Sequence, residues 1–449
     1  MPKKKTALTI EERLQQALVP AEEQPYEVPE NWVWVRLGEV NKYISKSVNP
    51  ISEPDKIFEL YSVPSMVDNY PEIIAGSDIG SSKQSVCKKD VLLCKINPRI
   101  NRVWKVSQFT DNELIASSEW IIIRNNHINE NYLMYCFQSK YFREFMLSNV
   151  SGVGGSLMRA QPKYVQTYPI PLHPLSEQQR IVERIEELFA KLDEAKERLQ
   201  EVADSFAVRK AAILHKAFTG ELIGKKIEQL VPLESLVDLI KIGPFGSALH
   251  ESDYIENGIP LVNPKHIVQQ HIVPQSKISI SEEKAEELSS YRLKANDIVL
   301  GRRGEMGRCA PVSAREENWI CGTGSMIIRL KEEYDARLYS LILGSQATVT
   351  YLENSAVGST LKNLNEKIVR KIPVPQFDIE EQHEIVRLID DLLARERSAQ
   401  QATEQALASI DLMKKSILAR AFRGELGTNK ASEASALELL RQVLAENRS

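Results

Sequence analysis

The sequence predicts a mixed α/β (α+β) protein in which two globular domains are joined by two long helices of the coiled-coil kind. Three observations support this fold class. The stretch SEQQRIVERIEELFA, which begins at Ser176, recurs as EEQHEIVRLIDDLLA from Glu380. Each copy opens a long heptad pattern of apolar residues, which is typical of coiled coils. Each copy also follows a region that mixes segments of strand composition with segments of helical spacing.

The two copies are separated by a constant offset of 204 positions. Glu177 aligns with Glu381 and Gln178 with Gln382, and the same shift brings ILHKAFTGEL onto ILARAFRGEL without a gap. Upstream, VGGSL aligns with VGSTL. Because the offset holds over about 70 residues, it indicates a duplicated unit rather than chance similarity between helices. The period is too long for a solenoid, so we expect two domain-sized copies in tandem.

The first heptad pattern predicts a helix from Ser176 to about Phe218, with Ser176 as its N-cap and Gly220 as its C-cap. A helix with such a long apolar seam needs a partner, and the second copy supplies one. Antiparallel pairing of the two helices would give the chain a pseudo-twofold axis. The predicted seam positions are Ile181, Ile185, Leu188, Leu192, Leu199, Phe206, Ile385, Ile389, Leu392, Ile410 and Ile417.

The second seam is interrupted at Glu396 and Thr403. Two interpretations stay open: the interruption weakens the seam, or it marks the place where another protein docks. Elsewhere, DVLLCKI, SSEWIIIR, NDIVLGRR, GSMIIRL and VWVRLGEV have strand composition. Helices are predicted for LTIEERLQQAL, for NENYLMYCFQSKYFREFM and for SALELLRQVLAE.

These patterns divide the chain into six parts. We expect a helical segment and linker at 1–24, a first globular domain at 25–172 and a first long helix at 173–222. A second globular domain is expected at 228–375, a second long helix at 376–426 and a helical tail at 427–449.

Composition restricts the functional classes. The net charge is −4 at pH 7, so the chain does not coat DNA by charge alone, although local basic patches remain possible. No apolar run is long enough to span a membrane, and the start MPKKKTALTI lacks the apolar core of a signal peptide. Five scattered cysteines favour reduced thiols that pack inside the fold, so we expect a cytoplasmic location.

The familiar catalytic motifs are absent from the sequence. It contains no GxxxxGK[ST] loop, no HExxH, GxSxG or DFG-type motif, and no NPP[YF]-like motif of an amino-methyltransferase. The seven histidines are dispersed, and GVGGS and GPFGS are more typical of tight turns than of cofactor loops. We therefore expect a binding protein without catalytic residues, metal ligands or a cofactor of its own.

Two basic loops follow equivalent predicted strands, DVLLCK and DIVLGR. The first is KINPRINRVWK and the second is GRRGEMGR. Lys and Arg neutralise phosphates, Arg can bind guanine N7 and O6 together, and glycines let a backbone approach closely. A solvated loop is the alternative, but its duplication favours contact with double-stranded DNA. The candidate DNA-binding residues are Lys83, Lys95, Arg99, Arg102, Lys105, Arg159, Gly243, Phe245, Ser247, Lys265, Arg302, Arg303, Arg308 and Lys362.

The chain resembles the specificity subunit of type I restriction-modification systems over about residues 20–426. The resemblance is carried by IPLHPLSEQQRIVERIEELF, by its copy KIPVPQFDIEEQHEIVRLIDDLL, and by AFTGEL and AFRGEL. It implies two target recognition domains, each specific for one half of a split DNA sequence, and antiparallel spacer helices whose length sets the unread gap. It also implies two methyltransferase subunits and restriction subunits as partners, which carry S-adenosylmethionine, ATP and magnesium, and adenine methylation as the outcome.

Two other hypotheses remain open at this point. The chain could be the targeting part of a restriction-methylation enzyme of another type, acting with a separate enzymatic partner. It could also be a structural coiled-coil scaffold that binds proteins at both ends. The scaffold hypothesis predicts no salt-sensitive affinity for DNA, whereas phosphate contacts give a steep dependence on salt.

Overall fold

The computed structural model describes residues 8–152, 158–244, 248–355 and 363–446. The chain divides into two compact units. The first unit combines Met1–Leu199 with Ala406–Ser449, and the second spans Gln200–Gln405. Both contain helices and strands, which confirms the predicted mixed α/β class.

The described residues form helices of very different lengths. Short helices belong to the globular parts, and α6 and α11 are the two long helices predicted from the heptads. The helices are α1 (Ile10–Ala17), α2 (Leu37–Val40), α3 (Glu130–Gln138), α4 (Lys140–Ser148), α5 (Pro162–Val165), α6 (Leu175–Phe218), α7 (Glu282–Glu287), α8 (Ala336–Leu343), α9 (Gln346–Ser355), α10 (Glu366–Arg370), α11 (Ile379–Ala421) and α12 (Ala436–Ala445).

In the first unit the strands form a five-stranded sheet in the order β2-β5-β8-β3-β4, a three-stranded sheet in the order β7-β6-β9, and the pairs β1-β12 and β10-β11. Their bounds are β1 (Val33–Arg36), β2 (Ser47–Val48), β3 (Ile57–Tyr61), β4 (Glu72–Ala75), β5 (Lys83–Ser85), β6 (Val91–Cys94), β7 (Val103–Lys105), β8 (Glu113–Ala116), β9 (Trp120–Ile123), β10 (Val150–Ser151), β11 (Arg159–Ala160) and β12 (Pro169–Leu172).

In the second unit the strands form a four-stranded sheet in the order β14-β22-β19-β20, a three-stranded sheet in the order β18-β15-β21, and the pairs β13-β23 and β16-β17. Their bounds are β13 (Val231–Pro232), β14 (Val237–Ile242), β15 (Ile259–Val262), β16 (Ile267–Val268), β17 (His271–Ile272), β18 (Ser279–Ile280), β19 (Asp297–Gly301), β20 (Cys309–Pro311), β21 (Ile320–Cys321), β22 (Ser325–Leu330) and β23 (Pro373–Val374).

Most of the predicted elements are confirmed, and four local predictions are wrong. The strand predicted for VWVRLGEV ends at Arg36. The helix α2 follows because Leu37 and Val40, which are three positions apart and lie on one face of a helix, are both buried in the core. The helix predicted from Asn129 is divided into α3 and α4 by the extended backbone of Ser139. Among the cysteines Cys94, Cys136, Cys309 and Cys321 are buried, whereas Cys87 is exposed in the turn before β6.

The start of α6 also differs from the prediction. The helix begins at Leu175, so Ser176 lies in its first turn and is not the N-cap. The carbonyl oxygen of Pro174 accepts the first backbone hydrogen bonds, from the N–H groups of Glu177 and Gln178, at 2.9 and 3.0 Å. At the other end the prediction is confirmed: Gly220 follows α6 with φ of +81°, a left-handed conformation that glycine adopts without strain.

The two long helices run antiparallel within each unit. In the first unit the Lys414 ammonium donates to Asp193 at 2.5 Å, and Phe422, just after α11, belongs to the same apolar cluster as Ile181. Later positions of α6 therefore meet earlier positions of α11. The second unit shows the same polarity, since Arg209 donates to Glu396 at 3.0 Å. The predicted antiparallel pairing is thus confirmed.

Burial along the seam is uneven. Ile181 and Ile385 are fully buried, whereas Val202 is 40% exposed. Glu396 is paired with Arg209, and the buried hydroxyl of Thr403 donates to the Ala399 carbonyl at 2.9 Å, so both interrupting side chains have partners. The buried seam residues are Ile181, Ile185, Phe206, Ile385, Ile389 and Ile410, and the half-buried ones are Leu188, Leu192, Leu199, Leu392 and Ile417.

Candidate nucleic-acid interface

A pair of antiparallel strands positions the basic loop in each unit. In the first unit the N–H of Cys94, at the end of β6, donates to the carbonyl of Arg102 at 3.0 Å. In the second unit the N–H of Gly301, at the end of β19, donates to the carbonyl of Arg308 at 2.8 Å. Arg102 and Arg308 therefore occupy equivalent places, each directly before the returning strand.

A second set of backbone bonds fixes the first residue of each loop. Lys95 donates its N–H to the Glu119 carbonyl at 3.0 Å, and its own carbonyl accepts from Ala160 at 2.8 Å. Arg302 is held in the same way: its N–H donates to the carbonyl of Gly324 at 2.9 Å, and its carbonyl accepts from the N–H of Leu364 at 3.0 Å. Lys95 and Arg302 are thus equivalent basic residues in the two units.

A buried ion pair holds the start of each loop-bearing strand, at the end opposite to the loop. Asp90 lies directly before β6, and both of its carboxylate oxygens accept from Arg124, at 2.7 and 2.6 Å. Asp297 and Arg329 repeat this bidentate pair, with both distances 2.7 Å. Each carboxylate is only 1% exposed, and its hydrogen bonds raise the pKa of the arginine beside it. The pair ties the loop-bearing strand to a neighbouring strand, β9 in the first unit and β22 in the second.

A buried glutamine joins each long helix to the globular part. The Gln178 amide donates to the His173 carbonyl and accepts from the N–H of Asn129, both at 2.9 Å. Gln382 does the same, donating to the carbonyl of Phe377 at 2.9 Å and accepting from the N–H of Asp335 at 2.7 Å. Asn129 and Asp335 are the N-caps of α3 and α8. This is a physical reason for the glutamine that recurs in both copies of the repeated stretch.

In the first unit the loop borders a groove of about 500 Å³. Its walls are apolar, from Leu60, Val63, Pro64 and Ile96, and its charged side chains are Lys83, Arg102 and Glu119. Burial lowers the pKa of the Lys83 ammonium, which donates to Ser81.

The structure brings together only some of the first-unit candidates. Lys83 and Arg102 line the groove, and Arg159 reaches it through Glu119. Arg99 is exposed in a short 3₁₀ turn of the loop. Lys105 lies at the far end of β7, where its ammonium donates to Asn131 of α3 at 2.7 Å, so it is not part of this groove.

In the second unit the loop lies against glycines. A Cβ added to Gly243 would come within 2.1 Å of the Gly322 carbonyl oxygen, so only glycine fits this close approach. The half-buried Arg302 donates through Nε to the Leu364 carbonyl at 3.0 Å, and burial, with Arg303 next to it, lowers its pKa. Arg303 and Lys265 are exposed, and Arg308 is paired with Glu305. Phe245, Ser247 and Lys362 lie outside the described residues.

Three features of the site were not recognised from the sequence. They are Glu119, the Asp–Arg pair at the start of each loop-bearing strand, and the contacts of the recurring glutamine. The Asp–Arg pair did leave a signal, because KKDVLL aligns with ANDIVL and WIIIR with SMIIR, each keeping its charged residue. Glu119 left none, since Gly324 occupies the equivalent position.

Chemically, the arrangement offers half-buried guanidinium and ammonium groups at equivalent places, held by strand pairs, and the exposed Arg99 and Arg303 belong to the same loops. Such groups bind phosphates and the acceptor edges of bases. Within the described ranges no cluster of His, Cys, Asp or Glu side chains has the geometry to hold a metal ion. No helix in the same ranges is long and apolar enough to cross a membrane.

Comparison with known proteins identifies the family to which the chain belongs. Residues 29–204 and 234–407 each match the type I restriction modification DNA specificity domain. A specificity subunit of the type I restriction enzyme EcoBI from Escherichia coli is 28% identical over 345 residues, covering 69% of this chain and 72% of that protein. The MjaVIII specificity subunit from Methanocaldococcus jannaschii is 23% identical, with 85% and 92% covered.

Solved structures support the same fold. The HsdS subunit from Thermoanaerobacter tengcongensis superposes with a TM-score of 0.65 at 22% identity, covering 90% of this chain and 99% of that one. A chain from a study of assembly and conformational transition of the type I restriction-modification system gives a TM-score of 0.66, also at 22% identity. With both copies of the repeat matched, the chain belongs to the family of type I restriction-modification DNA specificity proteins.

Proposed function

We propose that this chain is the non-catalytic targeting subunit of a type I DNA methyltransferase and restriction complex. Each unit recognises one half of a bipartite DNA sequence. The observation that carries the proposal is the equivalence of the two basic loops, in which Lys95 matches Arg302 and Arg102 matches Arg308 in their backbone contacts. A duplicated loop of this kind suits two separate half-sites on one duplex. The six-part domain division expected from the sequence belongs to the same proposal.

The long helices set the gap between the half-sites. A helix of 44 residues such as α6 is about 65 Å long at about 1.5 Å per residue. That length compares with roughly two turns of B-DNA at about 35 Å each. We therefore expect a recognition sequence of two short blocks around a fixed, unread interval.

Two methyltransferase subunits bind at the long helices, and restriction subunits join the larger complex. Exposed apolar side chains on these helices support a protein partner: Val208 of α6 is 69% exposed and Leu412 of α11 is 65% exposed. S-adenosylmethionine, ATP and magnesium belong to those partners in this proposal. The assembled complex then methylates adenine within the recognition sequence.

The first test is a map of methyl-adenine across the host genome with this gene intact and deleted. We expect methylation to disappear at one split motif, which also reveals the target. The double variant Arg302→Ala/Arg303→Ala, purified with its methyltransferase subunits, should then change recognition at one half-site only. Lys277→Ala/Arg315→Ala removes the same charge from other loops of the second unit and serves as the control.

Two results would contradict the proposal. Equal loss at both half-sites in the Arg302→Ala/Arg303→Ala variant would show that the loop does not belong to one half-site. Absence of any salt-dependent DNA affinity in the purified complex would favour the scaffold hypothesis, because phosphate contacts always produce a salt dependence.

A further inference from the structure

The groove of the first unit contains a carboxylate among its basic side chains. Glu119 accepts from the Nε and Nη2 groups of Arg159 at 3.3 and 3.4 Å, one bond to each carboxylate oxygen. Both side chains reach solvent, Glu119 at 28% and Arg159 at 44% exposure. These are long bonds for an ion pair, since charge-assisted N–H···O bonds are normally about 2.7–2.9 Å.

The second unit shows that the fold does not require this pair. Gly324 stands at the place of Glu119, with the same backbone bond to the loop, and Asn363 stands at the place of Arg159 in the equivalent bridge. In the second unit backbone hydrogen bonds hold the loop without an ion pair at this place. A surface ion pair of this kind also contributes little to stability. Folding therefore does not explain why the first unit has the Glu119–Arg159 pair.

Its chemistry points to one kind of ligand. A carboxylate that faces DNA is repelled by phosphates, but it accepts well from the N4 amino group of cytosine. The guanidinium of an arginine donates in bidentate fashion to guanine O6 and N7. A single G·C pair presents the amino donor and the two acceptors side by side on its major-groove edge.

We propose that Glu119 and Arg159 together recognise one G·C pair within the half-site of the first unit. On binding, the long bonds between the two side chains give way to bonds with cytosine N4 and guanine O6/N7. Lys83 and Arg102, in the same groove, supply positive charge for the flanking phosphates. This inference rests on the proposed function, because it assigns specificity to a groove that must first bind DNA.

The experiment uses the complex with its methyltransferase subunits and the motif obtained from the methylation map. The half-site of the first unit is the one that Arg302→Ala/Arg303→Ala leaves unchanged. Affinities are measured for the cognate duplex and for duplexes with each base pair of that half-site replaced in turn. The variants are Glu119→Ala/Arg159→Ala and Glu119→Gly/Arg159→Asn, and the second introduces the residues that the repeat already accommodates.

We expect the wild-type complex to prefer one G·C pair by roughly tenfold to a hundredfold, since a good bidentate contact contributes about 1–3 kcal/mol. Both variants should lose this preference at that single position and keep it elsewhere. The control is Lys140→Ala/Glu144→Ala, which removes an exposed ion pair with a 3.8 Å contact from α4 and should change no preference.

Three results would overturn the inference: a half-site without a G·C pair, an unchanged preference in both variants, or uniform weakening across all duplexes. Failure of the proposed function looks different, because the wild-type complex would then show no sequence-dependent binding at all.

Discussion

The two units share a framework and differ in what is attached to it. Both carry a basic loop after a strand whose start is held by a buried Asp–Arg pair, and both anchor a long helix through a buried glutamine. Within the described residues both also contain a parallel strand pair, β3-β8 or β15-β21. Around the parallel pair the first unit has a five-stranded sheet and the second a three-stranded one.

Comparing the two units distinguishes the residues that the fold needs from those that can determine specificity. Residues that the duplication preserved in both type and contacts are those that the fold needs. Residues that differ on the same framework, such as Glu119 against Gly324, are free to determine specificity. If the two units recognise different half-sites, as proposed, the chain needs this combination of a constant support and variable surfaces.

The largest expected effect concerns the Asp–Arg pairs. Asp90→Ala and Asp297→Ala should each destabilise their own unit by about 3–5 kcal/mol, because each leaves a partly buried arginine without its carboxylate. Hydrogen–deuterium exchange in β6 and β19 can assign the loss to one unit. Each variant should speed exchange in its own strand, and the two effects should be of similar size.

The control for this comparison is Glu366→Ala. It breaks a more exposed i,i+4 pair with Arg370, at 2.7 Å, and should cost less than about 1 kcal/mol. If Asp297→Ala were as mild as this control while Asp90→Ala were not, the two pairs would not be equivalent supports and the shared framework would be incomplete.

A smaller effect is expected at the glutamines. Gln178→Ala and Gln382→Ala should each cost about 1–3 kcal/mol, since a buried backbone N–H and a buried carbonyl lose their partner. Gln179→Ala is the matched control: the neighbouring side chain is exposed, and its contacts to Asn129 and Glu183 are replaceable by water. Thermal unfolding measures the three variants on one scale. A control variant as unstable as Gln178→Ala would contradict the assigned role.

Sequence periodicity predicted the fold well where the chain repeats itself. The constant offset and the heptads located α6 and α11 to within a few residues, and paired strand segments located β6, β9, β19 and β22. Local rules failed where tertiary contacts decide. Ser176 has the chemistry of an N-cap, yet the helix begins one residue earlier, where the Pro174 carbonyl and the buried side chain of Gln178 fix its first turn.

The candidate site was only partly predictable. The basic loops were visible, because charge and glycine content are local properties of a sequence. Lys105 shares its loop with Arg102 but points to α3, since alternate residues of a strand face opposite sides. Glu119 and Arg159 lie forty positions apart, so only folding brings them together.

The smallest effect tests a contrast between two glutamates at equivalent positions. Glu177 is fully buried, where it accepts from the Trp32 indole at 2.7 Å and from the Asn429 amide at 3.0 Å. Glu381 is partly exposed and is paired with Lys225 at 2.5 Å. Burial raises the pKa of Glu177, so its carboxyl group binds a proton more tightly in the folded state than in the unfolded chain.

Such a group stabilises the fold fully below the unfolded pKa of about 4.3, and the contribution is lost as the pH rises through the raised folded value. Glu177→Gln removes this titration. The stability of the wild type relative to Glu177→Gln should therefore fall as the pH rises above about 4 and then level off, as measured by urea unfolding in a pH series. Glu381→Gln breaks a surface pair and should cost less than about 1 kcal/mol at neutral pH. If the stability of the wild type relative to Glu177→Gln instead rose with pH, the hydrogen bonds to the Glu177 carboxylate would outweigh the effect of burial on its pKa. The two glutamates would then differ in accessibility but not in the direction of their pKa shift.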